Sequence, residues 1–260
     1  MTLLEHRVSV EGGHLHVEEA GEGPAVLLSH AGVTDRRVWD PLLPSLASRH
    51  RVIRWDSRGY GRSPRPTGPF SLVADAVAVL DHLGVERAHL VGLSQGAATS
   101  LDTALAHPGR VATLTLVAPG LSGYDWPQLP GYADRMDAFK RGDLDGITTG
   151  LIRLWAPLSL GPDGASTGDL AATLITDQID FVLSEEEEVE EPSAVARLGE
   201  VTVPTLIVLG DRDIDVITDI GDLLVAKIPG ARRVMLAGAD HILPLRVPAE
   251  LDALLAEHLR

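Results

Sequence analysis

The sequence lacks cysteine entirely. This absence excludes a disulfide framework, a thiol nucleophile and any metal site built on cysteine ligands, while leaving secreted and cytosolic locations both open. No apolar run approaches the roughly 18 residues that a membrane span requires. The opening segment, MTLLEHRVSVEGG, is charged throughout and lacks the apolar stretch of about 7–15 residues of a signal peptide. These features predict a soluble, cytoplasmic protein.

Basic residues are scarce as well. The chain has 22 Lys and Arg against 37 Asp and Glu, a formal net charge of −15. Because nucleic acids and anionic membranes bind proteins chiefly through Lys and Arg, both are unfavourable partners. A small-molecule substrate is the expected partner, and the sequence leaves the oligomeric state open. With 260 residues and 45% hydrophobic composition, the chain is long and apolar enough to bury a large core without a metal or disulfide.

Short apolar runs alternate with helical patterns along most of the chain. Residues 6–10 and 14–20 predict an antiparallel hairpin around Gly12 and Gly13. Later runs are apolar almost throughout, as in parallel strands that are covered on both faces. Those runs are residues 25–30, 51–56, 88–94, 111–119, 204–211 and 232–238. Helical spacing covers residues 39–48, 71–84, 96–107, 217–228 and 248–259. This alternation predicts an α/β fold with a doubly wound, mostly parallel sheet of eight strands.

The alternation is interrupted once, between the sixth and seventh strands. Residues 120–200 carry no strand pattern, and a structureless loop of that length is uncommon. We therefore predict a helical cap at 120–200 inserted into a core formed by residues 1–119 and 201–260. Its predicted helices are 132–140, 144–155, 168–183 and, less clearly, 185–198. Six of the few aromatic residues fall in the cap and suggest an apolar pocket wall: Tyr124, Trp126, Tyr132, Phe139, Trp155 and Phe181.

The segment Gly92-Leu-Ser94-Gln-Gly96 carries the clearest chemical signal. It follows an apolar strand and opens a helix, which is the context of a nucleophile elbow. Side chains two residues on either side of the serine would collide with the helix and the neighbouring strand, and glycine removes both collisions. Ser94 is thus the predicted nucleophile, standing at the carboxyl edge of the sheet where open α/β folds bind ligands.

A serine hydroxyl needs a base, and the base needs an acid to orient it. His241 follows the last strand, at the same edge, and is the predicted base. The acid must follow the strand that ends at Gly210, where Asp213 is preferred and Asp211 and Asp215 remain alternatives. A developing oxyanion needs backbone donors, which we assign to the N–H groups of Gln95 and Gly32. Five residues are predicted to contact substrate: Val33, Tyr124, Trp126, Trp155 and Ile242.

Other histidines and carboxylates admit weaker interpretations. We expect five histidines to be solvated: His50, His82, His89, His107 and His258. His14 and His16 point the same way on a strand, but no third metal ligand is evident. The acids from Asp211 to Asp222 have the spacing of a calcium loop, yet Val216 stands where that loop needs glycine. We predict no metal and no cofactor.

Taken together, these residues resemble the α/β-hydrolase superfamily over the whole chain except the cap. The segments 30–39 and 56–63 are similar to its His-Gly-x-x and Asp-x-Arg-Gly-x-Gly-x-Ser segments, the second of which is structural. Gly210-x-x-Asp213 and His241 match its acid and base segments. The likeness is nearest to enol-lactone hydrolases, small esterases and cofactor-free haloperoxidase-like proteins.

Three positions depart from the family pattern. Ala31 and Gly32 replace the usual glycine and bulky residue, which predicts a roomier acyl side. Asp240 stands where glycine usually precedes the base. In an extended segment it should point away from Ser94, although a carboxylate beside the imidazole would raise the pKa of His241.

The resemblance implies a serine hydrolase that cleaves a carboxylic ester, lactone or thioester of a small, fairly hydrophobic substrate through an acyl-enzyme on Ser94. The same triad serves C–C bond hydrolysis, acyl transfer and perhydrolysis, so these remain open. A slow-turnover ligand-binding receptor is a further alternative. A protein that docks partners through the acidic run 185–191 is another, although such runs usually form a solvated helix face.

Overall fold

The computed structural model describes residues 2–183, 188–189 and 191–260. Within them, eight strands form one sheet in the order β1-β2-β4-β3-β5-β6-β7-β8. The strands are β1 Leu3–Val10, β2 Gly13–Ala20, β3 Ala25–Ser29, β4 Arg51–Trp55, β5 Ala88–Leu93, β6 Val111–Val117, β7 Thr205–Gly210 and β8 Arg232–Leu236. β1 and β2 form the predicted antiparallel hairpin, β2 runs antiparallel to β4, and the remaining pairs are parallel. The predicted α/β fold and its mostly parallel sheet are confirmed.

Burial explains why the apolar runs became strands. Every residue of β5 and β7 is buried, because helices cover both faces of the sheet at its centre. β1 lies at the sheet edge and is largely exposed. It begins three residues earlier than the predicted 6–10, since Leu3 to Glu5 pair with β2 without being buried.

The helices are α1 Leu43–Ala47, α2 Leu72–His82, α3 Gln95–Ala106, α4 Tyr132–Arg141, α5 Leu144–Trp155, α6 Leu170–Asp177, α7 Ile179–Val182, α8 Asp215–Lys227, α9 Leu243–Arg246 and α10 Pro248–His258. Most of them pack on the sheet, whereas α4 and α7 contribute to a separate small apolar cluster. The Ser71 side chain caps α2 by accepting the Ala74 N–H. The prediction of one helix over 39–48 is wrong. A 3₁₀ turn at Arg36–Trp39 precedes the short α1, and Pro41 and Pro44 interrupt the hydrogen bonding that a continuous helix needs.

The insertion between β6 and β7 contains α4 to α7. The predicted helix 168–183 is two helices, because α6 ends at Asp177 and α7 begins at Ile179. The suggested helix 185–198 is not found among its described residues, where Glu188 instead forms a parallel β-bridge with Phe70. Residues 184–187 and 190 of that stretch lie outside the described part. The division into a core and a cap at 120–200 stays a prediction.

One apolar cluster fills both faces of the sheet and extends into the insertion through Ile152, Leu174 and Ile175. The sheet therefore provides a rigid support at its carboxyl edge, with α5 and α6 packed next to it. In the described part of the chain, no helix combines the length and the apolar character that crossing a membrane requires.

Candidate active site

Ser94 occupies a strained turn between β5 and α3. Its φ of 55° and ψ of −112° lie outside the conformations that side chains usually adopt. Backbone hydrogen bonds hold the turn: the Ser94 N–H donates to the Val117 carbonyl at 2.9 Å, and its carbonyl accepts from the Gly120 N–H at 3.0 Å. Strain of this kind persists only where the surrounding structure enforces it, and it is concentrated at functional sites.

Glycines make the turn possible, as the sequence predicts. A Cβ on Gly92 would lie 2.1 Å from the Gly96 carbonyl oxygen. A Cβ on Gly96 would lie 2.3 Å from the carbonyl oxygen of Ser29 at the end of β3. Both contacts are with backbone, which cannot move aside. Any larger residue at these positions would separate α3 from the sheet.

The predicted base and acid are in direct contact. His241 Nδ1 lies 2.7 Å from Asp213 Oδ2, and each side chain is only 1% exposed. The other oxygen of Asp213 accepts the Ile214 N–H at 2.8 Å, which fixes the carboxylate. Since Nδ1 faces the acid, Nε2 is the ring atom available to exchange a proton. The alternative acids lie elsewhere: Asp211 is exposed and accepts the Gly238 N–H, while exposed Asp215 opens α8.

The sheet topology places these loops at one edge with Ser94. β5, β6, β7 and β8 are parallel neighbours, so the loops after β5, β7 and β8 emerge on the same side. The acid and base loops touch closely, because a Cβ on Gly210 would lie 2.3 Å from the Ala239 carbonyl oxygen. Trp155, the last residue of α5, lies over the base, with its ring centroid 4.4 Å from that of His241.

The two predicted oxyanion donors are neighbours. Gln95 is the first residue of α3, and its side-chain Oε1 lies 2.8 Å from the place a Cβ on Gly32 would occupy. A side chain at position 32 would therefore displace Gln95. Tyr60 supports the loop from the other side by donating its hydroxyl to the Gly32 carbonyl at 2.7 Å.

His30 holds the same loop and has no role assigned from the sequence. It is buried, its Nδ1 lies 2.8 Å from the Ala31 carbonyl oxygen, and its Nε2 accepts the Ser57 N–H at 2.9 Å. Only a neutral ring with its proton on Nδ1 satisfies both contacts. Burial lowers the pKa of His30 and so favours this neutral form. His30 and Tyr60 lie in the segments 30–39 and 56–63, which the sequence analysis singled out. Neither segment alone reveals that these two residues contact the loop at Ala31 and Gly32.

A cavity of about 230 Å³ adjoins Gly32 and Gln95. Its lining is mixed rather than uniformly apolar: Gly32, Ser57, Arg58, Tyr60, Phe70, Leu72, Gln95, Phe181, Val182 and Glu188. The acidic run contributes Glu188, which accepts a hydrogen bond from Gln95 Nε2 at 3.2 Å. Glu188 is exposed, yet this bond connects it to Gln95 of the elbow. Residues 185–187 and 190 of the run lie outside the described part of the chain, so the solvated face stays a prediction.

The residues predicted to contact substrate are dispersed. Trp155 lies against His241, whereas Ile242 is fully buried in the core. Val33 and Tyr124 are partly buried against the core, and Trp126 is exposed beside Tyr124. The expectation that the cap aromatics form one pocket wall is wrong, because α4 presents two of them to solvent. Those two are Tyr132 and Phe139.

Three of the histidines predicted to be solvated are not. His50 and His89 are buried with ring centroids 6.1 Å apart, and His258 is partly buried. Each contacts a distant part of the chain: His50 the Leu259 carbonyl, His89 the Thr113 hydroxyl and His258 the Leu114 carbonyl. Contacts between residues so far apart in the sequence leave no local sequence signal.

His14 and His16 do not share a ligand set. His16 lies near Glu5 and Glu18, with ligand atoms within 4.8 Å of one another. Glu18, however, forms ion pairs with Arg36 at 2.7 Å and Arg54 at 2.6 Å, which already neutralise it. His14 instead lies 3.1 Å from Arg7.

Sequence and structure comparisons place the chain in a family. The model of the alpha/beta hydrolase fold matches residues 24–246, and the chain belongs to that family. It is an α/β-fold hydrolase, as its relatives are. The Azorhizobium caulinodans protein named "Putative carbamate hydrolase RutD" is 31% identical over 84% of each chain.

Two further likenesses come from other organisms. A 2-hydroxy-6-oxononadienedioate/2-hydroxy-6-oxononatrienedioate hydrolase of Comamonas testosteroni is 28% identical, over 84% of this chain and 81% of that protein. The crystal structure of the enol-lactonase from Burkholderia xenovorans LB400 superposes with a TM-score of 0.81. It is 24% identical and covers 98% of this chain and 99% of its own, which demonstrates the shared fold.

Proposed function

We propose that the protein is a serine hydrolase that cleaves a carboxylic ester, lactone or thioester of a small, fairly hydrophobic substrate. The observation that carries the proposal is the buried contact between His241 Nδ1 and Asp213 Oδ2 at 2.7 Å, at the sheet edge to which the elbow brings Ser94. A hydroxyl, an imidazole and a carboxylate in this order are the components of nucleophilic acyl transfer.

In the first half-reaction, Ser94 Oγ attacks the substrate carbonyl carbon while His241 Nε2 takes the hydroxyl proton. Asp213 stabilises the imidazolium that forms and keeps the ring oriented. The N–H groups of Gln95 and Gly32 donate to the developing oxyanion. His241 then returns its proton to the leaving oxygen or sulfur, and the bond to the leaving group breaks, which produces an ester of Ser94.

In the second half-reaction, His241 takes a proton from water. The hydroxide attacks the acyl carbon, and the proton returns to Ser94 Oγ as the acid product leaves. The names of the relatives refer to a carbamate, an oxo-dienedioate and an enol-lactone, each of which has a carbonyl carbon that a serine can attack. Trp155 over His241 and the net charge of −15 favour a neutral substrate with apolar character.

The test is hydrolysis of p-nitrophenyl acetate and butyrate by the wild type, Ser94→Ala and Ser48→Ala. Ser48 is an exposed serine after α1 and serves as the matched control. We expect Ser94→Ala to lower kcat about a thousandfold or more, since loss of the nucleophile removes the whole pathway. Ser48→Ala should behave as the wild type.

Two results would contradict the proposal. Equal turnover by the wild type and Ser94→Ala would exclude Ser94 as the nucleophile. A burst of p-nitrophenol from the wild type without a steady rate would show that the acyl group is not released, as in a slow-turnover receptor.

A further inference from the structure

A largely buried ion-pair cluster joins the base loop to the insertion, and its most exposed member, Asp169, has a side chain that is 34% exposed. We call it the Arg246 cluster; it consists of Asp240, Arg246, Ser159 and Asp169. Asp240 and Arg246 belong to the loop and short helix that follow β8, while Ser159 and Asp169 lie between β6 and β7. The cluster therefore links two parts of the chain separated by about 80 residues.

Asp240 is completely buried, and both of its oxygens are bonded. Oδ1 accepts from Arg246 Nε at 3.0 Å and from the Ile242 N–H at 3.2 Å. Oδ2 accepts from the Leu158 N–H of the insertion at 3.1 Å. The carboxylate that precedes the base thus binds an arginine and two amides, and it connects the base loop directly to residue 158.

Arg246 forms the other half of the link. Its side chain is 12% exposed, and it donates through Nη1 to Asp169 Oδ2 at 2.7 Å and through Nη2 to Ser159 Oγ at 2.6 Å. Asp169 also caps α6 by accepting the Ala172 N–H. The three nitrogens of one guanidinium therefore bind one carboxylate of the core and two side chains of the insertion.

The linked segment carries Trp155. Residue 155 ends α5, and Leu158 and Ser159 follow three and four residues later. Short hydrogen bonds keep the segment rigid, since the Ala156 N–H donates to Ile152 and the Ser159 N–H to Ala156, both at 2.8 Å. Whatever holds residues 158 and 159 consequently sets the distance between the rings of Trp155 and His241.

We propose that Asp240 and Arg246 are positioning residues that hold the segment 155–159 over His241 and so set the substrate-binding geometry of the proposed hydrolase. The inference rests on the proposed function only for its kinetic consequence. Neither residue touches the reacting atoms. Their effect passes through Trp155 and the backbone of the base loop.

Asp240 and Arg246 form a largely buried ion pair, so the test variants leave both residues in place. Removing Asp240 or Arg246 alone would leave an unpaired buried charge and destabilise the fold. The double variant Asp169→Asn/Ser159→Ala instead weakens only the insertion side and leaves the Asp240–Arg246 pair intact. Asparagine remains a good N-cap, so α6 keeps its start.

The matched control is Asp143→Asn. Asp143 caps α5 by accepting the Gly146 N–H at 2.9 Å, as Asp169 caps α6, and it is not part of the Arg246 cluster. The same isosteric change is therefore made at a second helix start of the insertion, away from the base loop.

We expect the double variant to raise KM for p-nitrophenyl butyrate about fivefold or more, with kcat within about twofold of the wild type. The reason is that Ser94, His241 and Asp213 are untouched while the segment over His241 is loosened. Amide hydrogen exchange of residues 155–159 should be faster in the double variant. Asp143→Asn should match the wild type in both measurements.

Unchanged exchange at 155–159 would overturn the positioning role, and so would an equal KM rise in Asp143→Asn. A fall in kcat with KM unchanged would also overturn it, because the cluster would then act on the chemistry rather than on binding. Hydrogen exchange needs no turnover. If the wild type failed to hydrolyse either ester, the proposed function would fail while exchange still decided whether the cluster holds the segment.

Discussion

At the residue scale, two aspartates near one histidine have different environments. Asp213 contacts the imidazole of His241. Asp240, which immediately precedes His241 in the sequence, instead binds Arg246 and the Leu158 N–H. The sequence predicts that Asp240 points away from Ser94, and its partners explain how such a carboxylate is stabilised.

Asp213→Asn should lower kcat for p-nitrophenyl butyrate by about 10³–10⁴-fold with little change in Tm, because an amide can hold the imidazole in the wrong tautomer. Asp215→Asn is the control, since Asp215 is exposed at the start of α8 and should lose at most a few tenths of a kcal/mol of helix stabilisation. Steady-state kinetics on both variants check this. A large loss in Asp215→Asn, or none in Asp213→Asn, would assign the acid to another residue.

Local sequence predicted the strand-end positions of Ser94, Asp213 and His241 but not the surroundings of three other histidines. Ser94, Asp213 and His241 each follow a strand at the same edge, and that position can be recognised from neighbouring residues. His50, His89 and His258 gain their partners from residues at least 24 positions away. The tautomer of His30 and the partners of Asp240 are likewise set by contacts that only the folded chain brings together.

At the element scale, the close crossing of α3 over β3 supports the elbow. Gly96 is where the two backbones meet. Sequence periodicity predicted every strand and most helices, because burial on both faces imposes continuous apolar runs. The periodicity predicted a single helix in place of α6 and α7, because the apolar spacing continues across Gln178. The helical hydrogen bonding is interrupted at that residue.

Gly96→Ala should lower Tm by several degrees or prevent folding, because the new methyl would overlap the Ser29 carbonyl. Gly109→Ala is the matched control: a Cβ there meets nothing within 4 Å and its φ is not positive. Thermal unfolding followed by circular dichroism compares the two. Equal Tm values for both variants would show that the crossing is looser than the structure indicates.

At the scale of the whole molecule, buried histidines connect stability to pH. Burial, together with repulsion from His50 and His258, lowers the pKa of His89 from 6.5 to about 4. Burial also lowers the pKa of His258. Since unfolding restores the ordinary pKa, the neutral His89 contributes stability that is fully present above pH 6.5 and is lost as pH falls towards 4.

His89→Gln should therefore show a shallower fall of Tm than the wild type between pH 6.5 and 4. Glutamine removes the titrating ring and keeps a polar side chain of similar size. His107→Gln is the control, because His107 is exposed. Differential scanning calorimetry across this range measures the slopes. Identical slopes for His89→Gln and the wild type would mean that His89 titrates normally in the folded protein.

Ser94 is the proposed nucleophile, and the most direct measurement of this role maps where a fluorophosphonate reacts on the folded chain. Intact mass spectrometry followed by peptide sequencing should find one adduct per chain, on Ser94 Oγ, and none on Ser94→Ala. The adduct should also form more slowly when p-nitrophenyl butyrate is present in excess, because the ester competes for Ser94 while it is being hydrolysed. A folded wild type that remains unlabelled, or that is labelled at a different residue, would contradict the account.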